Sequence, residues 1–338
     1  MKKNCSPHRN KHVWKVALIL MIVSSLLLSG CGAKKSKVYK VGVLGGITFL
    51  AEIFDGFKAG MTELGYVEGE NIEYDVHIIE FDMAEYENII KKFVADDVDL
   101  IVTFPTEASL MAKEVTQGTD IPVVFTFALV EEMGLIDSIQ EPGGNITGVR
   151  YPGPDIARRR FEIMHELVPE ATRFLIPYQR GYPNVPPQLK ALYPLAESTG
   201  IELVEMPADD GAELDAQFQT MVEAGESVDA IIFVAEPLTV TPDAVAAIAK
   251  FSTEQNIPVG GALVQSGDWG TVFGLNVDSF RCGEQTAPLA DKILKGTPAG
   301  TIPVVSAENF LQIDYSAAQV LGLDVPEGLL NQADEVIR

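Results

Sequence analysis

The sequence predicts an α/β protein made of two doubly wound parallel-sheet lobes joined by a three-strand hinge. Three observations lead there. Short apolar strands alternate with helical periodicity from residue 38 onward. The alternation breaks near Tyr151-Pro152-Gly153-Pro154 and then restarts. The segment after residue 270 holds too few elements to bury a core alone, so its pieces must return to the lobes already built. Alternation of this kind produces βαβ units, whose parallel sheets need helices on both faces.

The elements follow in order. The first lobe opens with a strand at 39–44 and a helix at 50–64 that stops at Gly65. Strands at 72–79, 100–102, 121–125 and 146–149 then alternate with helices at 86–94, 108–115 and 133–139. The second lobe runs from a helix at 157–167 through strands at 174–176, 201–205, 230–234 and 257–259, separated by helices at 188–198, 214–223 and 242–254. A strand at 271–275, a helix at 282–294, a strand at 310–313 and a short helix at 315–321 complete the chain. Sharing these last units places 38–150 plus 270–300 in the N-terminal lobe and 151–269 plus 301–338 in the C-terminal lobe. The chain then crosses near Tyr151, near Gly267-Asp268 and near Thr301-Ile302-Pro303. Several crossings form a hinge, and the carboxyl ends of two parallel sheets facing each other form a cleft.

Residues 1–30 have the composition of an export leader. Lys2, Lys3, Arg9, Lys11 and Lys15 precede an apolar run at 16–28. That run is short for a span of a ~30 Å hydrocarbon core and suits the middle of a signal peptide. It closes on Leu28-Ser29-Gly30-Cys31, which resembles a bacterial lipoprotein box, so Cys31 is the expected site of acylation. An uncleaved anchor helix is the alternative. Residues 31–37, with Lys34, Lys35 and Lys37, form a short basic linker.

Charge narrows the function. The chain carries −23, and with the leader's five cations set aside 20 basic residues face 48 acidic ones, or −28. A surface so acidic excludes nucleic acid as a partner, since phosphate binding needs Lys and Arg. It also leaves membrane attachment to Cys31. Cys5 goes with the leader, and Cys282 has no second free thiol to pair with.

Several stretches carry a resemblance to the substrate-binding lipoproteins of ABC importers, in the branch that includes aromatic amino-acid and other small-molecule binders. These are Phe57-Lys58-Ala59-Gly60-Met61-Thr62-Glu63-Leu64-Gly65-Tyr66, Pro142-Gly143-Gly144-Asn145-Ile146-Thr147-Gly148, Lys292-Ile293-Leu294-Lys295-Gly296 with Ile302-Pro303-Val304, and Ala318-Gln319-Val320-Leu321-Gly322-Leu323-Asp324-Val325-Pro326. The resemblance implies a type I periplasmic-binding-protein-like fold, a small organic ligand (an amino acid or aromatic carboxylate) held between the lobes, and a membrane permease as partner. It departs in the loops expected to touch ligand: Thr103-Phe104-Pro105-Thr106-Glu107-Ala108-Ser109, Thr126-Phe127-Ala128-Leu129-Val130-Glu131 and Ala235-Glu236-Pro237-Leu238. A sensory lipoprotein that signals to a membrane receptor and an exported hydrolase on the same scaffold are the other functions weighed.

Candidate contacts lie where strands give way to helices. Helix N-termini present unpaired N–H groups to a carboxylate, which singles out Thr106, Ser109 and Thr126; each serves equally as a helix cap or turn residue. Phe49, Phe104, Tyr151, Tyr178, Tyr182 and Trp269 are the aromatics able to sandwich a planar ligand, against a plain packing role. Arg180, between Tyr178 and Tyr182, could hold a carboxylate or be a solvated loop charge. Glu236 could accept a ligand ammonium or cap a helix. Catalysis has little to draw on. His77 and His165 stand apart and no Cys/His cluster suggests zinc. Gly42-Val43-Leu44-Gly45-Gly46 lacks dinucleotide spacing, and Gln265-Ser266-Gly267-Asp268 lacks a nucleophile elbow. Neither enzyme activity nor a cofactor is expected.

Overall fold

The computed structural model describes residues 37–261 and 271–338. The leader, Cys31, most of the basic linker, Trp269 and the crossing anticipated at Gly267-Asp268 lie outside the described residues. Residues 39–338 pack as one unit.

In chain order the unit begins with β1 (Tyr39–Gly45), α1 (Glu52–Glu63), β2 (Ile72–Ile78), α2 (Met83–Ala95), β3 (Leu100–Phe104), α3 (Thr106–Val115), β4 (Val123–Ala128) and β5 (Ile146–Arg150). There follow α4 (Gly153–Leu167), β6 (Arg173–Gln179), α5 (Val185–Thr199), β7 (Glu202–Ala208), α6 (Gly211–Glu223), β8 (Ala230–Ile232), α7 (Pro242–Gln255), β9 (Val259–Gly261) and β10 (Thr271–Val277). The end of the chain adds α8 (Ser279–Leu294), β11 (Val305–Ser306), β12 (Asn309–Asp314), α9 (Tyr315–Val320), α10 (Glu327–Leu330) and β13 (Glu335–Ile337). Aspartates start four of these helices. The carboxylates of Asp82, Asp210, Asp278 and Asp314 each accept from the N–H three residues on, which satisfies a donor the helix cannot pair itself.

The strands assemble into two sheets, ordered β11-β5-β4-β3-β1-β2 and β13-β12-β10-β9-β8-β6-β7. The first is parallel throughout. In the second, β12 runs antiparallel to β10 and β13 follows β12, so these two edge strands oppose the other five. The two doubly wound lobes are those anticipated, with differences at the joins. The strand expected at 271–275 belongs to the second sheet and not the first: β10 is buried along nearly its whole length and pairs with β9 on one side and β12 on the other. Residues 301–306 go the other way, since β11 extends the first sheet beside β5. The chain therefore crosses at Tyr151-Pro152, at Asp278, and between Ser306 and Asn309. The three-strand hinge survives, and only the crossing at Tyr151 stands where the sequence placed it.

No helix forms at 133–139. Glu132 and Gly134 both adopt positive φ, 62° and 67°, and Pro142 accepts the N–H of Asp137, so the segment folds as a chain of turns. Its apolar spacing has another cause: Leu135 is buried, and Met133, Ile136 and Ile139 pack on the cluster between the first sheet and α2–α3. A loop here does the covering that a crossover helix would do.

α8 carries the chain back to the first lobe and lies along α1. Contact is close enough that a Cβ on Gly56 would stand 1.9 Å from the Phe280 carbonyl oxygen, and one on Gly283 would stand 2.0 Å from that of Ile53. Only paired glycines permit this approach of two backbones. The seam clamps the third segment of the hinge to the first lobe.

A candidate ligand cleft between the lobes

In sheets wound this way the crevice lies at the carboxyl ends of the strands where the winding direction reverses. In the first lobe that point falls between β1 and β3, and in the second between β6 and β8. The loops leaving those strands do meet. Ile47 and Phe49 follow β1, Pro105 and Thr106 follow β3, Tyr182 and Asn184 follow β6, and Val234 to Pro237 follow β8; together they line a cleft that opens to solvent. Phe81, Phe127, Leu129, Tyr151 and Asn276 complete most of its wall. Two rings stand beside each other there, Phe127 and Tyr151, with centroids 5.0 Å apart. Phe127 holds a φ of 53°, a conformation that L side chains rarely adopt and that collects at ligand sites.

A few polar groups interrupt this apolar wall. The Tyr182 hydroxyl donates to Glu107 Oε1 across the lobes at 2.7 Å and accepts from Asn184 Nδ2 at 3.2 Å. Burial, and then the Glu107 charge, push the Tyr182 phenol far above its ordinary range, so it remains a donor. Three acceptors at or beside the cleft are buried with no partner among the described residues: Glu107 Oε2, Asn184 Oδ1 and Asn276 Oδ1. Buried acceptors normally find a donor, so these three atoms are suited to a ligand that brings N–H or O–H groups.

Five of the eleven residues singled out from sequence line the cleft: Tyr182, already described, and four more. Phe49 is 55 % exposed at the mouth, Tyr151 is 4 % exposed in the wall, and Thr106 is buried at the start of α3. Thr106 has a second duty, because its Oγ1 accepts the Leu129 N–H at 3.0 Å and ties the loops after β3 and β4 together. Glu236, the fourth, differs from its expected role. Its carboxylate accepts from the N–H groups of Gln179, Leu238 and Thr239 and from Thr239 Oγ1, at 2.5–2.9 Å. All four lone-pair positions are spent holding its own loop, and little remains for a ligand ammonium.

Five others are directed elsewhere. Phe104 is buried beneath β1, where only glycine at position 45 leaves room for its ring. Ser109 donates to the Pro105 carbonyl and accepts from Thr103 Oγ1, and Thr126 lies buried against the Cys282 carbonyl. Tyr178 donates to Glu205 on the neighbouring strand. Arg180 is paired with Asp209 and Glu213 in the loop beyond β7 and at the start of α6. Trp269 lies outside the described residues. His77 pairs with Asp75 at the sheet edge, and burial pushes the Cys282 thiol up to about 12; neither is among the residues that line the cleft.

Phe81, Phe127, Asn184, Asn276 and Glu107 were not among the expected contacts. Glu107 is next to Thr106, Asn184 stands two residues past Tyr182, and Phe127 sits in a stretch where the sequence departs from the family it resembles. What their sequence positions do not reveal is which loops from opposite lobes face each other. The floor of the second lobe hides one further group. Arg160, on α4, is fully buried, and its guanidinium donates to the carbonyls of Leu275 and Phe233 and toward the Tyr151 hydroxyl.

Known proteins match this architecture. The family described as ABC transporter substrate binding protein matches residues 45–337. A tyrosine-binding protein of Clostridioides difficile (strain R20291) is 27 % identical over 256 residues, which cover 75 % of this chain and 71 % of the relative. Among solved structures, a conserved domain protein from Vibrio cholerae is 27 % identical with a TM-score of 0.76, covering 89 % of this chain and all of its own. An ABC domain from Streptococcus pneumoniae in complex with L-Trp gives the same TM-score and coverage at 23 % identity, a likeness of fold. The matched family and the Clostridioides difficile relative are described as binding proteins and not enzymes, in line with the expectation from the sequence. With the family matched along nearly the whole described chain and a two-lobed cleft to go with it, this chain belongs to the ABC transporter substrate-binding proteins, an extracytoplasmic family.

Proposed function

We propose that this chain is a lipid-anchored importer component that captures an amino acid with a planar aromatic side chain in the interlobe cleft and delivers it to a membrane permease. One observation carries the reading: aromatic side chains of the first lobe and its crossing (Phe49, Phe81, Phe127 and Tyr151) line the cleft, and a small set of buried acceptors with no partner among the described residues (Glu107 Oε2, Asn184 Oδ1 and Asn276 Oδ1) lies in it or beside it. Rings stack on a planar side chain, while orphaned acceptors take the three N–H groups of an ammonium. The tyrosine-binding relative and the L-Trp-bound neighbour support the same ligand class. Acylation at Cys31 in Leu28-Ser29-Gly30-Cys31 keeps the protein at the membrane, with residues 31–37 as tether. Hinge closure at the three crossings excludes water and traps the ligand, and docking on the permease reopens the lobes.

Thermal unfolding of the purified protein against aromatic amino acids, aliphatic amino acids, nucleosides and sugars tests this. A ligand present at 100 times its Kd adds about 2.7 kcal/mol of stability, a visible rise in Tm. A rise with tyrosine, tryptophan or phenylalanine and not with the other classes supports the assignment. A rise confined to sugars or nucleosides overturns it. Mass spectrometry of the membrane-extracted protein tests the anchor, which predicts a diacylglyceryl adduct on Cys31 and its loss in Cys31→Ala.

A further inference from the structure

A buried arginine usually has a carboxylate, because an uncompensated charge in a dry interior is costly. Arg160 has none. It is 0 % exposed, and no salt bridge among the described residues includes it. Its four hydrogen bonds go to neutral oxygens: Nε and Nη2 to the Leu275 carbonyl at 2.9 and 2.7 Å, Nη1 to the Phe233 carbonyl at 3.0 Å, and Nη2 to the Tyr151 hydroxyl at 3.4 Å. Burial lowers the guanidinium's affinity for its proton, yet arginine keeps its charge in proteins.

The location of that charge is informative. Leu275 and Phe233 immediately precede Asn276 and Val234, which line the cleft, and Tyr151 lines it directly. The guanidinium therefore lies one residue layer below the floor of the second lobe. Tyr151 receives a hydrogen bond from the cation, so its own phenolic hydrogen is left to serve another acceptor. The first lobe presents the opposite character, with Glu107 Oε2 buried and unpaired. One wall backed by a cation and the other carrying an anion will orient a zwitterion.

Resting on the reading of the cleft as an amino-acid site, we propose that Arg160 is a specificity-determining positioning residue: its buried charge, acting through Tyr151, selects ligands that carry a carboxylate and sets that carboxylate toward the second lobe. The test compares L-tyrosine with tyramine and with L-tyrosine methyl ester, by calorimetry on the full-length protein and on R160Q, R160K and Y151F. Wild type should bind tyramine and the ester at least about 100-fold more weakly than tyrosine, the scale of a charge-assisted contact out of water. That ratio should collapse to about tenfold or less in Y151F and R160Q and be largely kept in R160K. A purely structural arginine would alter Tm and leave the ratio untouched, so an unchanged ratio in Y151F and R160Q overturns the proposal. If R160Q does not fold, Y151F decides alone. Tyrosine binding with equal affinity for tyramine in wild type overturns this inference only; failure of wild type to bind any aromatic amino acid overturns the parent reading as well.

Discussion

Tyr182 and Glu107 belong to opposite lobes, and a 2.7 Å hydrogen bond from the phenol to the carboxylate joins them across the cleft. The bond can exist only while the lobes are apposed, so its free energy counts entirely toward the closed arrangement. A hydrogen bond to a charged group is worth about 1.5–3 kcal/mol, or roughly 10- to 100-fold in an equilibrium. Tyr182→Phe keeps the ring and removes the latch. Affinity for the captured amino acid should fall by about that factor, while solution scattering of the ligand-free protein shows a more open average. An unchanged Kd would show that the latch plays no part in closure.

Gly56 gives a prediction of definite sign. In an exposed helix, Gly→Ala stabilises by about 1 kcal/mol. Here the added Cβ would fall 1.9 Å from the Phe280 oxygen on α8, and backbone cannot step aside as a side chain does. Gly56→Ala should instead cost about 1–3 kcal/mol, the range for overpacking, and lower Tm by several degrees in a thermal melt.

The lobes were legible in the sequence because both periodicities are strong and sheet-forming runs such as Leu100-Ile101-Val102 are apolar throughout. The joins were less so. Asp278 marks the true second crossing, and its signal is a helix cap that accepts from Arg281. A cap reports where α8 begins and says nothing of which sheet the preceding strand joins. The segment 133–139 carried helical spacing, but two residues at positive φ and a burial role shared with any compact loop decided its shape. At the site, Phe49, Thr106 and Tyr151 were found because strand ends are where crevices form. Phe104 and Tyr178 failed the same test on facing: one turns under Gly45, the other toward Glu205. Arg180 was claimed by Asp209 and Glu213, far along the chain. Facing and distant partners are tertiary facts, and sequence spacing does not encode them.

Cys282 is expected to be chemically quiet. Burial, with Asp278 and Glu308 nearby, raises its thiol from 9.0 to about 12. At pH 8 a thiolate reagent should leave it unlabelled in the folded protein and label it fully in denaturant. The linkage has a definite sign as well. Between pH 9 and 12 the unfolded chain releases this proton while the fold retains it, so stability falls as pH rises through that window. A Cys282→Ser chain should lose that part of the alkaline decline. Rapid labelling without denaturant would refute the burial argument.

Glu236 separates a structural carboxylate from a ligand-binding one. Each of its oxygens accepts two hydrogen bonds, from Gln179 and Leu238 on one side and from the N–H and hydroxyl of Thr239 on the other. Every group facing it is a donor. Glu236→Gln turns one oxygen into an NH₂ that confronts donors with a donor, leaving buried groups unsatisfied at a cost of about 2–3 kcal/mol. The loss should appear as a lower Tm in the ligand-free protein, with little change in the ligand's selectivity. Burial raises this carboxyl above its ordinary value despite those four donors, so the unfolded chain ionises first and wild-type stability declines as pH climbs above the usual carboxylate range. In Glu236→Gln that decline should be shallower across the same pH series. A variant with unaltered Tm and a selective loss of ammonium-bearing ligands would return Glu236 to the ligand and refute its role as the clamp of the loop after β8.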